Sequence, residues 1–85
     1  MLLLIKLYSE VMNEAVAEVL RDLREENHIS QEKLADAIGS HQVYISEIEK
    51  GKKLPSLQVL YHIAKFYNMS LTQLVERIEQ RLAKA

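Results

Sequence analysis

The stretch Gln31-Glu-Lys-Leu-Ala-Asp-Ala-Ile-Gly39-Ser-His-Gln-Val-Tyr-Ile-Ser-Glu-Ile-Glu-Lys-Gly51 decides the fold. Leu34, Ala35 and Ile38 recur at three- and four-residue spacing and line one face of a short helix, while Ile45 and Ile48 line one face of a second. Gly39 separates them, and its tolerance of positive φ suits the residue that closes one helix and turns the chain into the next. Ser30 is a good N-cap for the first of the pair, although Lys33 stands where a capping box needs Glu or Gln. The second runs from about Gln42 to Glu49, with either Ser40 or His41 at its cap. Ala35 is small where the two helices must cross closely, and Ile45 and Ile48 are the knobs that hold the crossing.

Working outward, Ser9 is expected to cap a long first helix to about Glu26, with Met12, Val16, Val19, Leu20 and Leu23 as its apolar stripe. Beyond Gly51, Lys52-Lys53-Leu54-Pro55 reads as a loop. Ser56 then caps a fourth helix whose buried face is Leu57, Leu60, Ile63, Ala64 and Tyr67, and Asn68 ends it. Ser70 with Gln73 forms a capping box for a last helix carrying Leu71, Leu74, Val75, Ile78 and Leu82. The expected organisation is all-α: an apolar arm over residues 1–8, a core of four helices over 9–69, and a C-terminal amphipathic helix over 70–85.

A chain of 85 residues holds one domain with one modest core. Its 48 % hydrophobic content, one proline and two glycines fit a helical, folded chain rather than a disordered one. With no cysteine, neither a disulfide framework nor a thiolate metal site is available. The opening Met1–Tyr8 is too short for a signal segment and lacks a cleavage site, and nothing approaches a membrane span, so a cytoplasmic protein is expected. His28, His41 and His62 lack metal-ligand spacing, and Glu25-Glu26 and Glu47/Glu49 read as solvated helix surface. No catalytic group, metal, cofactor or small-molecule substrate is therefore expected.

Charge is unevenly spread. Residues 1–38 hold eight acids against four bases, a balance of −4, whereas residues 39–85 hold four acids against seven bases, a balance of +3, for a net charge of −1. The second half therefore permits contact with a polyanion that the total disguises. The apolar surplus of the last helix and of Leu2–Ile5 exceeds what one small core covers. A homodimer through Leu74, Ile78, Leu82, Leu3 and Ile5, at one terminus or the other, is the expected solution, the alternative being that the N-terminal arm folds back over its own core.

The sequence resembles the Cro/C1-type, or XRE, helix-turn-helix family. The resemblance is carried by Leu20-Arg21-x-Leu23-Arg24-Glu25-Glu26, Ile29-Ser30-Gln31-Glu32-x-Leu34-Ala35, Gly39, Tyr44-Ile45-Ser46-Glu47-Ile48-Glu49-Lys50-Gly51-Lys52, Pro55-Ser56-Leu57 and Ile63-Ala64 to Ser70-Leu71-x-x-Leu74. It covers about two thirds of the chain and implies a compact five-helix bundle of the lambda-repressor-like type, with its second and third helices as the motif. A helix offered to solvent in this way enters a DNA major groove.

The resemblance implies base reading by Gln42, Val43 and Glu47, with Ser46 on the same outward face. Glutamine suits adenine N6 and N7, valine a thymine methyl, and glutamate cytosine N4. Phosphate contacts fall to Gln31, His41, Tyr44, Lys50, Lys52 and Lys53. If His41 touches phosphate when charged, binding weakens as pH rises. The implied function is a repressor-like regulator of transcription, binding double-stranded DNA as a homodimer at half-sites about 34 Å apart or a multiple of that. RNA polymerase is a further partner by occupancy. The alternatives are an antitoxin that silences a toxin through Leu2–Leu7 or the last helix while repressing its own operon, and an interaction module without DNA.

Overall fold

The computed structural model describes residues 1–84 as five helices: α1 (Leu2–Glu26), α2 (Gln31–Ala37), α3 (Gln42–Glu49), α4 (Leu57–Phe66) and α5 (Leu71–Ala83). The expected limit of the last segment, Ala85, lies outside the described residues. α2 packs chiefly on α3, α3 and α5 both lie against α1, and α4 packs on α5.

Serine capping sets three helix starts. Ser30, Ser56 and Ser70 accept from the backbone N–H groups of Lys33, Val59 and Gln73, and the Ser70–Gln73 box is complete. His41 occupies the cap position of α3 but makes no side-chain cap bond. Helix ends are equally regular. After α1, α2, α3 and α4 the chain turns through His28 (φ 54°), Gly39 (φ 69°), Gly51 (φ 75°) and Asn68 (φ 57°). Each time the following N–H returns to a carbonyl one turn inside the helix: Ile29 to Arg24, Ser40 to Ala35, Lys52 to Glu47 and Met69 to Ala64. These are Schellman closures, and only two of the four use glycine.

The first helix departs from expectation. α1 begins at Leu2, so residues 1–8 are not a separate arm and Ser9 is an interior residue rather than a cap. No glycine or proline interrupts residues 2–26, and a single serine is only a mild cost inside a helix of good formers. Two core assignments also move outward: Met12 and Leu57 are exposed.

Two apolar clusters hold the bundle. The larger joins Val16, Val19, Leu20 and Leu23 of α1 to Ile48, Leu60, Ile63, Ala64, Leu74 and Ile78. The smaller, Leu34, Ala35 and Ile45, locks α2 to α3, and Ile38, Tyr44 and Tyr67 touch both. Leu74 and Ile78 thus belong to the protomer's own core. They are 0 % and 5 % exposed, which removes them from any dimer surface. Leu82 is half-buried against the same cluster, while Leu3 and Ile5 are exposed. Across the α1–α5 seam Arg81 pairs with Glu18 (2.6 Å) and Asp22 (2.7 Å), and Arg77 with Glu26 (3.1 Å). The two acids holding Arg81 by hydrogen bonds raise its pKa, Asp22 foremost.

Candidate nucleic-acid interface

α3 is held from behind and open in front. Ile45 and Ile48 are buried, whereas His41, Gln42, Val43 and Lys50 are exposed and Tyr44, Ser46 and Glu47 are half-buried. Val43 is 64 % exposed at the start of the helix, with no packing role to account for an apolar residue there. The Gly39 turn places the first turn of α3 beside the start of α2. Gln42 Nε2 accordingly donates to Gln31 Oε1 at 2.6 Å.

Behind that pair stands a buried acid. Gln31 Nε2 donates to Glu49 Oε1 (3.0 Å), and Arg24 closes on the same carboxylate through Nε to Oε2 (2.7 Å) and Nη2 to Oε1 (2.9 Å). Arg24 Nη1 also donates to the Ile29 carbonyl (2.8 Å), and Arg21 Nη1 to the Glu49 carbonyl (3.3 Å). The hydrogen bonds that Arg24 donates to Glu49 raise its pKa above the usual range, against an opposing effect of burial. A carboxylate only accepts, so it must face the Gln31 amide NH2. That turns the Gln31 oxygen toward Gln42 and makes the Gln42 NH2 the donor. The polarity of the surface glutamine is therefore set by a charge two hydrogen bonds away. Its own Oε1 and second N–H stay free, an acceptor and a donor side by side, as reading an adenine edge requires.

The sequence reading of Glu49 as solvated surface is corrected: it is 5 % exposed. Its spacing from Ile45 and Ile48 was the available signal, because 45, 48 and 49 fall on one helical face. Glu47 takes its partner from the loop, with Lys53 Nζ at 3.7 Å from Oε1. Lys50 and Lys52 are exposed close by. The Tyr44 ring packs between the two clusters.

The histidines do not converge, and His62 is exposed, meeting Tyr61 edge-on at 5.9 Å between ring centroids. Among the described residues no group of three or more His, Asp or Glu side chains is placed to hold a metal ion, and no helix is long and apolar enough to cross a membrane.

Comparison with known proteins agrees with this geometry. A helix-turn-helix family model matches residues 20–74, well over half of the chain. The chain is 39 % identical over 56 residues to the ImmF control region 10 kDa protein of Bacillus phage phi105, covering 66 % of this chain and 62 % of that one. It is 36 % identical over 66 residues to control protein C.SmaI of Serratia marcescens, covering 78 % and 79 % respectively. The chain thus spans less than two thirds of the phage relative's length. Among solved structures, the clp gene regulator ClgR of Corynebacterium glutamicum superposes with TM-score 0.78 at 25 % identity, over 85 % of this chain and 77 % of that one. A variant of the restriction-modification controller protein C.Esp1396I superposes with TM-score 0.77 at 25 % identity, over 86 % and 97 %. Family match, relatives and fold agree: the chain belongs to the Cro/C1-type (XRE) helix-turn-helix family.

Proposed function

We propose that the protein is a sequence-specific, double-stranded-DNA-binding regulator of transcription, repressor-like, acting as a homodimer on a two-fold operator. The observation that carries the reading is the oriented glutamine pair. An exposed amide held in one polarity by a buried ion pair is of little use to the fold, but it is ready to read a base edge. Relatives named as control proteins and as a transcriptional repressor support the same role.

In this reading Gln42 and Val43 face base edges, with Ser46 beside them. Glu47, tied to Lys53, tunes selectivity. Gln31 offers its remaining amide hydrogen to the backbone next to the base that Gln42 reads, while His41, Tyr44, Lys50, Lys52 and Lys53 contact phosphates and set register. No chemical step is involved: the protein acts in the cytoplasm by occupying DNA, excluding polymerase or touching it.

Selection of bound duplexes from a random library tests this reading. Enrichment of a two-fold sequence with half-sites about one turn apart, or a multiple, is expected. Failure to enrich any sequence at moderate salt overturns it.

A further inference from the structure

Of the thirteen large apolar side chains exposed among the described residues, nine lie in Met1–Met12. That concentration rules out scattered surface leucines as the explanation, and the residues from Leu2 onward are helical. Leu4, Ile5, Val11 and Met12 stand three and four residues to either side of Tyr8 and make with it one continuous face, ending at the buried Ala15. Lys6 and Glu10 occupy the opposite side, Ser9 and Asn13 flank the face, and Leu2, Leu3 and Leu7 lie outside it. The first three turns of α1 therefore carry a continuous apolar face that the bundle leaves exposed, with only its margins near Leu54 and the end of α5.

Nor does this face simply prolong the core stripe. Its centre, near Tyr8 and Ala15, is rotated from the line of Val16, Leu20 and Leu23 toward the end of α5, where Val11, Glu14, Ala15 and Glu18 line a shallow pocket with Arg81 and Lys84. Ile5, Tyr8, Ser9, Met12 and Asn13 line a second groove with Leu54. A ten-residue helix projecting into water is not stable by itself, so this segment needs a partner surface.

We infer that the partner is a second copy of this chain, the two N-terminal helices lying antiparallel across a two-fold axis at Tyr8. About that axis Leu4 faces Met12 of the partner subunit, Ile5 faces Val11 of the partner subunit and the two Tyr8 rings meet. The apolar face thus covers itself without placing a charge inside. Lys6 and Glu10 stay on the wet side, and the first turn of each helix enters the other's pocket beside Ala15. The side chains of this face with Leu7 and Leu54 offer on the order of 700 Å² per protomer, close to the roughly 800 Å² per partner of a standard specific interface. The interface deepens the regulator reading, on which it rests for the need for two copies. It also takes over the role that burial removes from Leu74 and Ile78.

The test is sedimentation equilibrium of the full chain. The wild type is expected to be a dimer, and Leu4→Glu/Val11→Glu to raise the dissociation constant about a hundredfold or more, while circular dichroism remains that of the wild type. Because the chain has no cysteine, Tyr8→Cys gives an independent readout. Under mild oxidation it should form a disulfide-linked dimer, whereas Ser9→Cys, turned away from the axis, should not. A monomeric wild type, a double variant that stays dimeric, or cross-linking by Ser9→Cys in preference to Tyr8→Cys overturns the inference. A wild type that dimerises through this face yet captures no duplex leaves the interface standing and removes the regulator reading instead.

Discussion

Arg24 grips Glu49 side-on, through Nε at 2.7 Å and Nη2 at 2.9 Å, at a point where the acid side chain is 4 % and the arginine side chain 16 % exposed. The pair joins α1 to the end of α3, and through Gln31 it reaches the helix surface at Gln42. One ion pair thus fixes both where α3 sits and how its first side chain is turned.

Glu49→Gln should cost about 3 kcal/mol in urea unfolding, because removal of one member leaves a guanidinium buried without its counter-charge. Replacing both partners, as in Arg24→Met/Glu49→Leu, should recover much of that loss, since no buried charge remains. The double variant should nevertheless bind DNA with relaxed preference at one base pair, having lost the carboxylate that orients Gln31. Recovery of stability together with full base preference would show that the carboxylate does not orient the reading glutamine.

Gln42→Ala should lower discrimination at a single base pair by about 1–3 kcal/mol and leave the other positions intact. Lys52→Ala should weaken every duplex alike and reduce the salt slope by about one. Fluorescence anisotropy on the selected sequence and its single-base variants, at several salt concentrations, separates the two effects. Equal loss of base preference in both variants would contradict the division between reading and clamping groups.

Much of this was legible in the sequence because the signals were local. Three serines announced three helix starts, Gly39 announced the turn, and the spacing of Ile45 and Ile48 told the inner face of α3 from the outer one. What escaped was not carried by residue type alone. Glu49 stands at the spacing of the inner face of α3, but nothing near it in the chain names its partner, Arg24, twenty-five residues away. His28 does the work of a C-terminal glycine, which its residue type gives little reason to expect. Ser9 is a capping residue by type, yet the leucines before it continue the helix, so local preference gave way to an uninterrupted run. Leu74 and Ile78 read equally well as core or as dimer surface, since an apolar stripe does not say which partner it meets.

Ala35 is 1 % exposed and sits with Leu34 and Ile45 in the cluster that locks α2 to α3. Ala35→Leu should overpack that crossing and destabilise the fold by about 1–3 kcal/mol. It should also weaken DNA binding, because α3 can yield only by moving outward and carrying Gln42 from its place beside Gln31. An unchanged melting midpoint would show that the crossing has room to spare.

At Tyr67 burial opposes the chemistry of the side chain. Its ring bridges the two clusters and stacks edge-on against Phe66, at 5.1 Å between ring centroids, but its hydroxyl is buried without a hydrogen-bond partner. Burial pushes the phenol pKa up to about 12 from the ordinary 10, despite the nearby positive charge of Arg24. A group whose pKa is higher in the folded state holds its proton there after the unfolded chain has released it. Stability from Tyr67 is therefore complete below about pH 10 and is lost as pH rises from there through about 12. Tyr67→Phe deletes the unpaired hydroxyl while keeping the ring. At neutral pH it should leave stability unchanged or raise it by up to about 1 kcal/mol, and it should flatten the alkaline loss. The checks are thermal melts at neutral pH and across the alkaline range, with the ultraviolet phenolate titration losing its late step. A variant markedly less stable than the wild type at neutral pH would mean that the hydroxyl has a partner in solution.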